Sequence, residues 1–285
     1  MMTGRIAIRR RVASRVMGGL ALLAAAAAIL PLLLVFGYLV VKGASALNLA
    51  FFLHNPHPVG VPNGGMANAI VGTLILVLVA SAVGVPIGLG AGMYLAERGA
   101  APLATSVRFF ADVLNGLPSI VVGIFAWQIL VRPIGHFSAF SGGVALGLMM
   151  IPTVARTTEE MIRTVPTALS EAALALGYAR WRTALRIVLP TALGGVITGI
   201  LIAVARVAGE TAPLLFTAFG NQFWSVSLNQ PIAAIPLQVF NYAISPYDEW
   251  HAQAWAGALV LIVLVLAISI LARLATGRGF ARGND

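Results

Sequence analysis

The sequence predicts an all-α polytopic membrane protein with six transmembrane helices, and three observations support this fold class. Hydrophobic residues make up 59% of the 285-residue chain and charged residues only 9%, a balance that soluble domains do not show. Mostly apolar runs recur along the chain, and about 20 such residues cross the roughly 30 Å of a hydrocarbon core as a helix. The third observation is that basic residues concentrate in alternate spacers between these runs.

The predicted transmembrane segments lie at 18–41, 66–95, 110–131, 142–157, 192–219 and 253–274. They leave a tail at 1–17, an external loop at 42–65, a membrane core at 66–274 that contains a cytoplasmic loop at 158–190, and a tail at 275–285. The basic start before the first segment resembles a signal peptide. However, the apolar body is longer than the about 7 to 15 residues of a cleaved one, which predicts a retained first helix.

The positions of arginine and lysine predict the orientation of the chain. Both tails, the spacer after the second segment and the loop 158–190 are rich in arginine, whereas the opposite spacers hold only Lys42 and Arg132. Cytoplasmic loops carry the excess of basic residues, so both termini are predicted to be cytoplasmic. The net charge of +9 then reflects topology, and no nucleic-acid partner is expected.

Several kinds of chemistry are not expected on this chain. The absence of cysteine excludes disulfides and thiolate metal ligands. His54 and His57 have the spacing of a weak metal motif, but nearby prolines break the helix that would align them, and no metal site is expected. Lys42 is the only lysine and does not lie in a phosphate-binding loop, so ATP would have to be hydrolysed by another polypeptide and no cofactor is expected here.

Glycine and proline are frequent in the second and third segments. The residues concerned are Gly84, Pro86, Gly88, Gly90, Gly116, Pro118 and Gly123. In membranes such residues allow close approach of helices or local kinks. They predict a closely packed bundle that bends.

The cytoplasmic loop is predicted to contain two short exposed helices joined by a glycine turn. The first restarts at Thr167 after Pro166 and ends at Gly177, because glycine readily adopts the left-handed conformation at a helix end. The second, "YARWRTALRIV", ends before Pro190.

Two ion pairs are predicted around the start of this loop. Arg156 with Glu160, and Glu159 with Arg163, have the four-residue spacing that places opposite charges side by side on a helix.

The same loop resembles the EAA signature of ABC importer permeases. The matching residues are Glu171, Ala172, Ala173, Gly177, Ile187, Leu189 and Pro190. The resemblance implies a type I ABC importer permease fold whose cytoplasmic coupling helix docks on an ATP-binding subunit dimer. It also implies that Glu171, Ala172, Ala173 and Gly177 carry this coupling, while ATP and Mg are used by the partner.

Arg206 and Glu210 place two charges in the fifth segment, within "AVARVAGETAPLLF". An arginine near the middle of a membrane helix costs about 2.5 to 3.5 kcal/mol on the insertion scale, so it needs compensation. On a continuous helix the two residues share a face, where they either form a packing salt bridge or jointly face a water-filled path with Thr211 beside them. Pro213 cannot donate to the carbonyl of Gly209 and predicts a helix kink there.

An anion path lined by Arg206 and Glu210 would favour phosphate over sulfate. A guanidinium binds phosphate oxygens through two parallel hydrogen bonds, and near neutral pH phosphate keeps a P–OH that can donate to Glu210. Sulfate has no such proton, so it would leave the carboxylate without a donor. Asp112 is a third polar group of the membrane core, for which capping or interfacial anchoring is predicted.

Four segments together resemble the PstA-type permease subunits of phosphate-specific ABC importers, at 64–74, 114–125, 150–166 and 205–220. The resemblance implies a non-catalytic subunit of a phosphate-transporting ATPase complex in the bacterial plasma (inner) membrane, working by alternating access. It implies as partners a second, PstC-type permease subunit, an extracytoplasmic phosphate-binding protein, phosphate and the surrounding membrane lipid. The alternatives are a permease for sulfate or molybdate, a proton-coupled secondary transporter, and a structural anchor or sensor scaffold.

Overall fold

The computed structural model describes residues 2–99 and 101–281, and these residues form helices without a β-strand. Residue 1 of the predicted N-terminal tail and residues 282–285 of the predicted C-terminal tail lie outside the described residues. The helices are α1 (Met2–Ala46), α2 (Leu49–Leu53), α3 (Ala67–Glu97), α4 (Pro102–Gly116), α5 (Ser119–Ala126), α6 (Arg132–Ile134), α7 (Ala139–Arg163), α8 (Thr167–Ala175), α9 (Arg180–Thr183), α10 (Leu189–Ala208), α11 (Ala212–Thr217), α12 (Ile235–Ala243) and α13 (Asp248–Ala281).

Within the described residues, five helical stretches are long and apolar enough to cross a bilayer: Val12–Ala46, Ala67–Glu97, Ala139–Arg163, Arg180–Ala208 and Asp248–Leu274. The third predicted span is instead a bent pair, α4 with the stretch Ser119–Ile134, which meet at 105°. Pro118 explains the bend, because a proline disfavours helical backbone in the residue before it, and Leu117 is extended with φ −70° and ψ 137°. The helix predicted over 110–131 is therefore broken at 117–118, in a segment whose glycines and proline predicted a bend.

Helices α3 and α7 pack against each other along a row of glycines on α3, which we call the glycine seam. Gly84, Gly88 and Gly92 recur at four-residue spacing, and a Cβ at any of them would lie 2.5 to 2.7 Å from a side-chain carbon of α7. Small residues at such spacing let membrane helices approach backbone to backbone. Gly90, one of the glycines predicted to serve packing, faces open space instead.

The contrast between Gly88, which packs against α7, and Gly90, which does not, gives a matched test of the glycine seam. We expect Gly88→Leu to lower stability by more than about 2 kcal/mol, because the leucine side chain has no room between α3 and α7. In a thermal melt of the detergent-solubilised protein, this corresponds to a loss of about 4 °C or more. Gly90→Leu, which makes the same change two residues away, should leave the melting temperature nearly unchanged. Equal losses in both variants would contradict the packing role of the seam.

The chain does not leave the helical conformation at Pro190. α9, a π-helical segment over Ala184–Val188 and α10 form one continuous stretch from Arg180 to Ala208. In the wider π turn the N–H of Leu189 bonds to the carbonyl of Ala184, and Pro190 then sits in the first turn of α10, where its missing N–H is tolerated. The predicted helix end before Pro190 is wrong, and the span predicted at 192–219 starts and ends about 11 residues earlier.

Candidate anion path and coupling surface

Arg206 lies in the last turn of α10 rather than near the centre of a long helix. The C-terminal end of a helix carries a partial negative charge, which favours a cation at this position. The Arg206 side chain is exposed on the surface of the chain and makes no ion pair or side-chain hydrogen bond with the described residues. Its guanidinium donors are therefore available to another molecule.

Glu210 lies in a break of the helix, residues 209–211, between α10 and α11. The N–H of Glu210 bonds to the carbonyl of Val207 at 3.2 Å, so the helix tightens and stops before it reaches this residue. The salt bridge with Arg206, one of the two arrangements predicted for these charges, requires a continuous helix, and the described structure contains no ion pair between them. The partly buried carboxylate of Glu210 is thus not neutralised by the arginine one turn before it.

Pro213 begins a helix instead of kinking one, which corrects the prediction. It lies in the first turn of α11, where a proline costs little, and the carbonyl of Thr211 accepts from the N–H of Leu214 at 3.1 Å. Helix α5 of the bent pair packs closely against this segment, because a Cβ at Gly123 would lie 2.8 Å from the Cα of Pro213. Helix α11, which follows the break that holds Glu210 and Thr211, therefore packs closely against the backbone of α5.

A row of mostly small or polar residues runs along α10 through Arg206 to the residue after its end, and we call it the α10 face. Its members are Thr191, Gly194, Thr198, Ile202, Arg206 and Gly209, which recur every three or four residues and are exposed or partly exposed. The hydroxyls of Thr191 and Thr198 donate to carbonyls one turn earlier, at 2.6 and 3.0 Å. The sequence reasoning missed this row, although the spacing of its threonines and glycine was visible in the sequence.

A buried carboxylate, Glu159 of α7, lies on the arginine-rich side of the bundle. Its side chain is 2% exposed and lies 2.7 Å from Arg108 Nε, 3.0 Å from Arg156 Nη1 and 2.7 Å from Arg163 Nη2. Arg108 also donates to two backbone carbonyls at the end of α3 and in the turn after it, at 3.0 and 2.8 Å. This Glu159 cluster therefore connects α3, α4 and α7.

The contacts of the Glu159 cluster show which of the two predicted ion pairs forms. The pair of Glu159 and Arg163 is confirmed. The prediction of a pair between Arg156 and Glu160 is wrong, because Glu160 points outward and Arg156 bonds to Glu159 instead. Arg156 Nε also lies 3.4 Å from Asp112, which sits inside α4 and therefore does not cap a helix; its predicted interfacial anchoring stays a prediction.

Helix α8 carries the residues predicted for coupling. Glu171 and Ala172 are exposed, whereas Ala173 is 3% exposed and packs inward. The predicted glycine end is confirmed, since Gly177 has φ +83° and the N–H of Tyr178 bonds to the carbonyl of Ala173 at 3.1 Å. A Cβ at Gly177 would meet no atom within 4 Å, so the backbone conformation and not the available space favours glycine there.

The two histidines of the external loop are engaged locally. The rings of His54 and His57 stack with centroids 6.1 Å apart, and their Nδ1 atoms lie 2.9 Å from the carbonyl of Asn63 and 3.2 Å from that of Pro62. In the described part of the chain, no three side chains of His, Cys, Asp or Glu come together as a metal site.

The described chain is a membrane-spanning bundle, and a helix and a glycine turn project from its arginine-rich side. This is the architecture of an ABC importer permease. The model of the family "binding-protein-dependent transport system inner membrane component" matches residues 84–278. The chain belongs to this family, and the predicted fold class is confirmed.

Individual relatives agree with this assignment. The chain is 48% identical over 235 residues to the phosphate transport system permease protein PstA of Yersinia pestis, covering 82% of this chain and 80% of that protein. It is 48% identical over 238 residues to the protein of the same name from Xylella fastidiosa strain Temecula1, covering 82% of each. The fold is similar to that of the MetNI methionine ABC transporter in an inward-facing conformation, with a TM-score of 0.55, 20% identity and coverage of 74% of this chain and 90% of that one.

Proposed function

We propose that this chain is a membrane-spanning subunit of an ATP-driven importer for inorganic phosphate. The observation that carries the proposal is the exposed guanidinium of Arg206 in a membrane helix, without a partner in the described chain. Exposure of an arginine to lipid is costly, so Arg206 faces water or a second subunit. The relatives named phosphate transport system permease protein PstA support phosphate as the anion.

The residues at the end of α10 and in the break after it supply the groups that distinguish phosphate from sulfate. Arg206 offers two parallel hydrogen bonds to phosphate oxygens, and Glu210 accepts a hydrogen bond from the remaining P–OH. Thr211 adds a hydroxyl next to Glu210. Sulfate binds less well, because it brings no proton for the carboxylate.

Energy for transport comes from a separate ATP-binding subunit dimer that uses ATP and Mg. The exposed residues Glu171, Ala172 and Gly177 of the α8 region support docking of this dimer there, and the inward-facing Ala173 anchors the helix to the bundle. The α10 face lines a path shared with a second, PstC-type permease subunit. An extracytoplasmic phosphate-binding protein delivers the anion, and alternating access moves it across.

The proposed orientation in the bacterial plasma membrane places the arginine-rich side in the cytoplasm. The ends of α3 and α7 and the start of α9 bring Arg98, Arg163 and Arg180 together around one cavity on this side. Such clustering of basic residues is typical of cytoplasmic membrane boundaries. Both termini then lie in the cytoplasm.

The decisive experiment measures ATP hydrolysis by the co-expressed complex in liposomes with its binding protein. We expect phosphate to stimulate hydrolysis and sulfate not to do so, and Glu210→Gln to narrow this difference by weakening the response to phosphate. Equal stimulation by both anions would contradict phosphate selectivity. Phosphate uptake driven by a proton gradient without ATP would contradict the importer class.

A further inference from the structure

A cavity of about 710 Å³ lies on the arginine-rich side between the end of α3, the end of α7, helix α8 and helix α9. Its charged lining residues are Glu97, Arg98, Arg163 and Arg180, which leave two net positive charges. Neither the phosphate path nor the exposed side of α8 accounts for this cavity.

Two of these arginines have free hydrogen-bond donors. Arg98 and Arg180 make no side-chain hydrogen bond or ion pair with the part of the chain that the structure describes. Arg163 is partly engaged, because its Nη2 lies 2.7 Å from Glu159. Guanidinium groups bind phosphate oxygens through paired hydrogen bonds, so the cavity is suited to a phosphate-bearing group.

The remaining walls of the cavity are largely apolar. They include Met93, Ile162, Leu174 and Val188, together with Trp181, whose side chain is 58% exposed. Tryptophan is enriched where membrane meets water, and these residues come from the ends of membrane helices and the loop below them. A free phosphate ion would leave most of the volume and the apolar walls without contact, whereas a phospholipid provides both a charged headgroup and an apolar body.

We infer that this cavity binds the headgroup phosphate of an anionic phospholipid from the cytoplasmic leaflet. Basic pockets between membrane helices on the cytoplasmic side suit such headgroups. Arg98 at the end of α3 and Arg180 at the start of α9 bind the phosphate, and the apolar residues contact the glycerol and the upper acyl chains.

The position of the lipid makes it part of the support of α8. Thr167, Ser170 and Leu174 lie on the side of α8 that faces the cavity. Ala172 and Leu176 lie on the opposite side and are exposed, Leu176 by 80%. The headgroup therefore occupies the space between α8 and the bundle and leaves the opposite side of α8 free for the ATP-binding subunits.

The test is lipid binding to the whole transporter complex, which includes the ATP-binding dimer, purified in detergent. The complex is titrated calorimetrically with short-chain phosphatidylglycerol, with phosphatidylcholine of equal chain length and with inorganic phosphate. We expect phosphatidylglycerol to bind more tightly than phosphatidylcholine, and the double variant Arg98→Gln with Arg180→Gln to weaken its binding about 10- to 30-fold. The control double variant, Arg15→Gln with Arg186→Gln, removes two exposed arginines that do not line the cavity and should bind like the wild type.

Four results would overturn the inference. They are equal binding of both lipids, equal weakening in both double variants, absence of lipid binding when the ATP-binding dimer is present, and binding of inorganic phosphate that only the cavity variant loses. The last result would identify free phosphate as the ligand. If the cavity double variant fails to assemble, Arg180→Gln alone replaces it, with an expected weakening of about fivefold. Lipid binding is measured without transport, so a negative result here would overturn the lipid site and leave the proposed transport function untested by it.

Discussion

Replacement of Arg206 by glutamine is expected to lower phosphate uptake by the reconstituted complex at least about 100-fold. The substitution removes two charge-assisted hydrogen bonds to the anion, each contributing about 1.5 to 3 kcal/mol, while the side chain stays polar. Because Arg206 has no partner in the described part of the chain, its loss should leave folding intact. Uptake of labelled phosphate into proteoliposomes that contain the binding protein measures the effect.

Two further variants separate an anion contact from a general effect of charge. Arg206→Lys keeps the positive charge but loses the planar donor pair, so we expect uptake between that of the wild type and that of the glutamine variant. Arg132→Gln removes an exposed arginine of α6, outside the proposed path, and should transport normally. Full uptake by Arg206→Gln would exclude this residue from the phosphate path.

Replacement of Glu159 by glutamine is expected to destabilise the protein by about 2 kcal/mol. Removing one partner of a fully buried ion pair costs about 3 to 5 kcal/mol, but the three arginines here are 19%, 32% and 52% exposed, so water screens part of the loss. The melting temperature in detergent should fall by about 4 to 8 °C.

Glu160→Gln is the matched control for this variant. It removes the same charge from the next residue, which points outward and has no arginine partner in the described structure. We expect its melting temperature to match that of the wild type. If both variants melt alike, the Glu159 cluster does not hold α3, α4 and α7 together.

Features set by local conformation could be predicted from the sequence. The left-handed end of α8 depends on Gly177 alone, and the pair of Glu159 with Arg163 depends only on helical spacing. The apolar runs likewise identify membrane spans, because span length follows from bilayer thickness.

Proline shows where such reasoning fails. Pro86 and Pro152 lie inside unbroken helices, whereas Pro118 and Pro213 lie at a bend and just after a break. In a membrane bundle, neighbouring helices and local π turns can compensate for the lost hydrogen bond. The outcome therefore depends on tertiary packing, which the residues around each proline do not reveal.

The candidate site was predictable in its residues but not in its geometry. Arg206 and Glu210 attract attention as charges in apolar sequence, yet the sequence does not reveal the helix break that separates them or the packing of the following helix α11 against Gly123, far away in the chain. Arg108 and Glu159 are 51 residues apart, and no local pattern connects them. Long-range contacts of this kind appear only once the bundle is assembled.

The glycine seam also bears on how this permease moves. Helices α3 and α7 meet without an intervening layer of side chains, so they cannot slide past each other without collision and should turn as one rigid unit. The bend at 117–118 and the break at 209–211 lie outside that unit, so we expect bending during transport at these two segments. Glu210 lies within the second of these segments, so under the proposed function each opening or closing of the transporter would change the geometry of its proposed anion contact.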